Sequence, residues 1–349
     1  ELAAVVDPDP ANRNRVAAQC GSDRHPCVRL ADHHSLGNEI DAAVIAAPTG
    51  LHYTVALKLL DRGIHLLVEK PLCSTSTEAD ELVEAARRNQ VVLQVGHVER
   101  FNPAFSAAKT HCTSPKYIEA VRTSGFTFRS TDVGAVLDLM IHDLDLVLSL
   151  VQSPLKKVDA MGLSVVGGHE DVANARLEFE CGCIAAISAA RVSYESTRRM
   201  HVWAPRAFTS IDFATRTATI VRPSETLLRR QFDVDSLSPE QVDYYRDHLA
   251  DEHLPQERLE FEAVDALALE TADFVESVLM PRKPLVSGEA GRDAVALAEQ
   301  ILAKIQSHAW TNRADGPTGP MATPKPSVIP APHFVLKPER TPAARREAG

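Results

Sequence analysis

Asp138, His142 and Asp145 stand at i, i+4 and i+7 in the segment Gly134-Ala135-Val136-Leu137-Asp138-Leu139-Met140-Ile141-His142-Asp143-Leu144-Asp145. On a helix that spacing puts all three on one face. Leu137, Met140, Ile141, Leu144, Val147, Leu148 and Val151 cover most of the rest, so the helix is expected to be largely buried. A lone histidine on an apolar helix is usually a satisfied core residue. One flanked by carboxylates is held in orientation and has its pKa pushed upward, as a general base near neutral pH requires. Two acids and a histidine are also a metal-ligand set, but no HxxxH or further ligand cluster accompanies them, and no metal is expected.

A cation that could act beside this helix lies in Gly63-Ile64-His65-Leu66-Leu67-Val68-Glu69-Lys70-Pro71. An apolar run of strand character stops there in an acid, a base and a proline. Strands of a parallel sheet are buried on both faces, and their carboxyl ends open onto the ligand crevice. Lys70 is therefore expected at the crevice edge, with Pro71 biasing it away from helical dihedrals. Standing alone, such an acid–base pair would read as a solvated turn. Asp7 is the third feature: an acid closing the second strand of a dinucleotide fold hydrogen-bonds the adenosine ribose and disfavours a 2′-phosphate, which selects NAD over NADP. Asp-Pro is also a common turn.

The elements that must position these groups follow from pattern. Short apolar strands at Leu2–Val6, Cys27–Leu30, Ala42–Ala47, Gly63–Val68 and Val91–Val95 alternate with helices. The helices are expected at Ala11–Cys20, at Leu51–Arg62 behind a Thr49 N-cap, and through Asn89 behind a Thr75–Glu78 capping box. Strand–helix alternation means a doubly wound parallel sheet. After Pro103 the pattern changes to the Gly134–Gln152 helix and then to short alternating segments from Lys156 to about Phe232, which argue for a mostly antiparallel sheet. Residues 236–258 read as loop and short helix, and amphipathic helices follow at Phe261–Met280 and Gly288–His308. The fold class is thus α/β plus α+β. The expected units are a dinucleotide-binding domain over 1–103, a substrate and oligomerisation domain over 104–310, and a Pro-rich, disordered tail over 311–349.

A chain of 349 residues is long enough for two cores. Its net charge of −10 argues against nucleic acid or an anionic membrane as partner, and no apolar run reaches the ~20 residues that span a bilayer. Six scattered cysteines, with only Cys181-Gly182-Cys183 closely spaced, suit reduced thiols in a cytoplasmic enzyme better than a disulfide framework.

Taken together, Ala47-Pro48-Thr49, His52, Glu69-Lys70-Pro71 and the Asp138–His142–Asp145 helix resemble the glucose-fructose oxidoreductase / inositol dehydrogenase / MocA family over roughly residues 1–308. Val95-Gly96-His97-Val98-Glu99-Arg100-Phe101-Asn102-Pro103-Ala104-Phe105 resembles that family's UDP-N-acetylglucosamine 3-dehydrogenase subgroup, which serves lipid A biosynthesis. The resemblance implies a Rossmann fold binding NAD through Asp7, Ala47, Pro48, Thr49, His52, Glu69, Lys70 and His97. It implies a substrate pocket with Arg100, Asn102, Asp138 and His142, with Arg100 available to a diphosphate. It also implies a homo-oligomer formed through the second sheet. The implied reaction is oxidation of a secondary hydroxyl, with Lys70, His142 and Asp138 catalytic. His142 takes the proton, Asp138 orients it and Lys70 stabilises the oxygen, although Lys70 and His142 could exchange roles. The alternatives are a dehydrogenase of inositol or another free sugar, and a non-catalytic sugar-nucleotide-binding protein. One departure stands out: the family's opening strand and GxGxxG turn have no counterpart here, and the chain reads as N-terminally truncated.

Overall fold

The computed structural model describes residues 2–321 except 21–26, 38, 129, 281, 314 and 315. The first apolar runs form parallel strands, because βα units leave both sheet faces to be covered by helices. They are β1 (Ala4–Val6), α1 (Pro10–Cys20), β2 (Val28–Leu30), β3 (Ala42–Ile45), α2 (Thr49–Asp61), β4 (His65–Glu69), α3 (Ser76–Asn89) and β5 (Leu93–Gly96). Helix α3 starts on the expected capping box: Thr75 Oγ1 accepts from the Glu78 amide at 3.3 Å and Glu78 Oε2 from the Thr75 amide at 3.2 Å. Gly63 closes α2 from the C′ position at φ +76°. Thr49, by contrast, lies inside α2. Its N-cap is Pro48, which supplies no side-chain acceptor.

The parallel strands do not form one sheet. β1 pairs β2, and β3–β4–β5 form a separate three-stranded sheet. A doubly wound sheet runs 3-2-1-4-5-6. Removing its first strand leaves these two pieces, so the slot between β1 and β3 is filled by no described residue. The strand residues beside it are accordingly bare: Val6 of β1 and Val44 of β3 are exposed.

The second half continues with α4 (Pro103–Lys109), β6 (Tyr117–Thr123), α5 (Ile141–Val151), β7 (Leu155–Leu163), β8 (Val172–Phe179), β9 (Ile184–Ala190), β10 (Thr197–Ala204), β11 (Ala207–Asp212) and β12 (Thr217–Val221). After these come α6 (Glu225–Leu228), α7 (Pro239–His253), β13 (Gln256–Glu260), α8 (Ala266–Leu279) and α9 (Gly288–Ser307). Eight strands form one sheet in the order β13-β12-β11-β10-β6-β9-β8-β7, antiparallel except for the β6–β9 pair. Inward residues such as Ile118, Ala175, Leu177, Ile187, Met200 and Val202 are fully buried and belong to a core continuous with that of β3–β5. The outer face carries Tyr117, His201, Trp203 and Phe208 in mutual ring contact.

The chain then returns to the first half. Val95 N–H donates to Val286 O at 3.0 Å, and Gln94 bridges Ser287 just before α9 begins. This crossing fixes the end of β5 against the second half.

Three expectations are corrected here. Residues 239–253 form a 15-residue helix, held by a Ser238–Gln241 capping box, where loop and short helix were expected. It buries nothing and so carries no periodic signal. The final helix pair begins at Ala266 rather than Phe261. Described residues of the tail expected to be disordered from 311 pack back on the fold: Ala309 bridges Thr318, Trp310 Nε1 donates to Gly319 O at 2.9 Å, and Ser164 N–H donates to Pro320 O. The rest of that expectation, 322–349, lies outside the described residues.

Candidate active site

The helix that carries Asp138 and His142 begins as a π turn, Val136–Met140, before continuing as α5; the Ile141 N–H reaches back five residues to Val136 O. Such turns concentrate at functional sites because they displace side chains from α-helical register. Glu170 builds this start. Its carbonyl accepts from the Ala135 amide at 2.8 Å and its Oε1 from the Val136 amide at 3.0 Å. A Cβ on Gly134 would fall 2.0 Å from that carboxylate, so only glycine admits the buried cap. Next to it, Asp171 pairs with Arg191, which donates to the carbonyls of Ser130 and Val133 and ties down the loop leading into the helix.

Lys70 comes from the end of β4, where the Lys70–Pro71 peptide is cis. Its Nζ donates to the Asp138 carbonyl at 2.7 Å and to Asp138 Oδ1 at 3.1 Å, and both side chains are about four-fifths buried. An ammonium from the parallel-sheet half therefore meets the helix of the second half. Glu69 lies beside it against Gly96, where a Cβ would sit 2.8 Å from Glu69 Oε2. Behind Glu69 is Glu270 of α8. Its carboxyl oxygens are buried without a partner, and burial, with Glu69 and Asp273 nearby, pushes its pKa up to about 8.

His142 follows Asp138 on the helix. Its Nδ1 is buried and has no partner, and no hydrogen bond joins it to Asp138. His97, at the exit of β5, is buried with both ring nitrogens unpartnered; the two imidazoles meet edge to face with centroids 6.3 Å apart. Both titrate below the ordinary imidazole value. Burial is the main cause for each; for His142 the charges of Arg122, Lys70, His97 and Arg198 add to it, and the shift is large. For His97, Asp145 opposes burial while Arg100 and Lys70 reinforce it. The Lys70 charge thus bears on both imidazoles.

This corrects the expected upward shift at His142 and the expected role of Asp138 as its orienter. Each carboxylate near the histidine answers to another cation. Asp138 holds Lys70. Asp145 takes Arg100 in a buried two-point contact, at 2.6 and 3.0 Å. Asp143 takes Arg122 at 2.9 Å through both oxygens, and Arg122 also reaches Glu99 at 2.8 Å.

Other expected site residues separate in the same way. Arg100 is turned onto Asp145 and is not free for a diphosphate. Asn102 caps α4 through the Ala104 amide and donates to Phe213 O. His52 is buried with both nitrogens engaged, on Pro71 O at 2.8 Å and Ala47 O at 2.7 Å, so it clasps two strand ends and offers no free nitrogen to a cofactor. Ala47, Pro48 and Thr49 do lie where β3 passes into α2. Asp7 does close β1, accepting from the Asp9 amide at 2.7 Å. All six cysteines are free, and no described helix is long and apolar enough to cross a membrane.

Comparison with known proteins gives the family and the fold. Residues 1–97 match the oxidoreductase family with an NAD-binding Rossmann fold, and residues 106–207 match the GFO/IDH/MocA C-terminal domain. UDP-N-acetylglucosamine 3-dehydrogenase of Acidithiobacillus ferrooxidans is 31% identical over 308 residues, covering 88% of this chain and 90% of that protein. A solved structure of that enzyme superposes with a TM-score of 0.74 over 87% of this chain and 89% of its own. The scyllo-inositol 2-dehydrogenase (NAD(+)) of Bacillus subtilis is 28% identical over 211 residues, 55% of this chain and 60% of its own. Levoglucosan dehydrogenase in complex with NADH shares the fold at a TM-score of 0.73 and 15% identity, over 87% of each chain.

Proposed function

The chain belongs to the GFO/IDH/MocA family of NAD-dependent oxidoreductases, and from that premise we propose that it oxidises the 3-hydroxyl of UDP-N-acetylglucosamine to a ketone. The observation that carries the site assignment is the meeting of Lys70 with Asp138 one turn before the buried His142, whose Nδ1 has no partner.

The residues present suit the cofactor at two of its ends. His97 and His142 hold buried ring nitrogens without partners, as a site awaiting a polar ligand would, and Asp7 sits where a ribose-binding acid belongs. NAD supplies the hydride acceptor. The protein manages the proton. A neutral imidazole can accept a proton from the hydroxyl, whereas Lys70, paired with Asp138, is a donor. We therefore assign proton acceptance to the His142 imidazole and stabilisation of the developing alkoxide to Lys70 Nζ. Asp138 positions Lys70, and Arg122 with Asp143 and Glu99 fixes the helix behind.

The test is a substrate panel. Purified protein with NAD+ should form NADH with UDP-N-acetylglucosamine and not with myo-inositol or free N-acetylglucosamine. NADH formation with inositol alone would move the substrate to the free polyols, as for the Bacillus subtilis relative.

A further inference from the structure

The mechanism leaves one cation of the cleft unused. Arg198 lies on β10, where Met200 and Val202, of the same parity, are fully buried, so it belongs to the inner face of the sheet. Its register partner on β6 is Arg122, and its carbonyl accepts from the Phe213 amide at 2.9 Å. These contacts place it at the end of the sheet that abuts α5 and the His97–Asn102 segment, where Asn102 also reaches Phe213 O. Its charge is felt by both His142 and Asp143.

Yet Arg198 is exposed, and it has neither an ion pair nor a side-chain hydrogen bond among the described residues. The contrast with its neighbours is the informative point. Arg122 is buried between two carboxylates and Arg100 on one. A second arginine, Arg216, stands in the turn between β11 and β12, three residues after Phe213, with a buried Nε that meets no acceptor.

We propose that Arg198 binds the diphosphate of the sugar-nucleotide substrate, filling the part expected of Arg100. This rests on the sugar-nucleotide reading above. A planar guanidinium open to the cleft can meet phosphate oxygens through two parallel N–H groups, a geometry that lysine does not reproduce. Placed on the sheet rather than on the helix, it would bind the nucleotide half of the substrate at a distance from the reacting carbon and so contribute mainly to affinity.

The experiment is calorimetric titration of UDP into the NADH-loaded protein and its variants, with the KM for UDP-N-acetylglucosamine measured alongside. Arg198→Gln should weaken UDP binding by about 10- to 100-fold, and KM should rise in step while kcat falls by less. Arg198→Lys should lie between, and both variants should melt within a few degrees of wild type because no internal contact is lost. If wild type and R198Q bind UDP equally, the assignment of Arg198 is overturned while the sugar-nucleotide reading stands. If wild type does not bind UDP, that reading fails and Arg198's role fails with it. A loss confined to kcat would likewise contradict a binding role.

Discussion

Lys70→Met is expected to lower kcat by about 10³-fold, the scale on which donors to a developing oxyanion act. Nζ donates across the two halves, to the Asp138 carbonyl and carboxylate. Methionine keeps the length of the side chain and most of its packing, so the cost should fall on chemistry. The pair is about four-fifths buried, so leaving Asp138 without its cation should also cost up to a few kcal/mol of stability, and the melting temperature is read alongside. Binding of NADH, followed by quenching of its fluorescence, should change little. A variant with kcat within tenfold of wild type would remove Lys70 from the mechanism.

His142→Asn should lower kcat by about 10²- to 10⁴-fold, as for removal of a positioned acid–base group, and it carries a second signature in stability. Burial holds the His142 and His97 pKa values below the ordinary imidazole value of about 6.5. Below that pH the unfolded chain takes up protons that the folded chain refuses. The unfolded state then binds more protons, so stability rises with pH in this range and is lost as pH falls beneath about 6.5. Relative to His142→Asn, wild type should therefore lose melting temperature progressively from pH 7 to pH 5.5. Glu270, raised to about 8, contributes in the opposite sense, its stability falling as pH climbs from the ordinary carboxylate value toward 8. It is present in both proteins and cancels in the difference. Parallel pH dependence for the two proteins would mean that His142 is not held neutral by its surroundings. In activity, kcat/KM of the wild type should keep its plateau to a pH below 6.5 before the acid limb begins.

The strand ending in Glu69-Lys70-Pro71, the Thr75–Glu78 capping box and the buried helix around His142 are legible in the sequence because each is a local pattern. Lys70 and Asp138 are 68 residues apart, and only the tertiary fold brings them together. The state of His142 was not legible, and for a physical reason. Carboxylates at i−4 and i+3 raise an imidazole only if they face it, and here the π turn, Lys70, Arg100 and Arg122 claim every acid on the helix. Arginines read alike in sequence, yet their roles divide by partner: Arg100 and Arg122 are neutralised and structural, while Arg198 is not. Arg122 also hid β6, since a charge at an inward position broke the alternation set by Ile118 and Ala120. β13, Gln256-Glu257-Arg258-Leu259-Glu260, was hidden because an edge strand faces water and has little apolar signal.

Lys70 and His142 are assigned to one alcohol, whose carbon gives up its hydrogen as hydride. UDP-N-acetylglucosamine carrying deuterium at C3, incubated with the wild-type protein and NAD+, tests this without any variant. Reduced nicotinamide carrying that deuterium, read by mass spectrometry, is the expected result. Unlabelled NADH, with the deuterium still on the sugar, would contradict it.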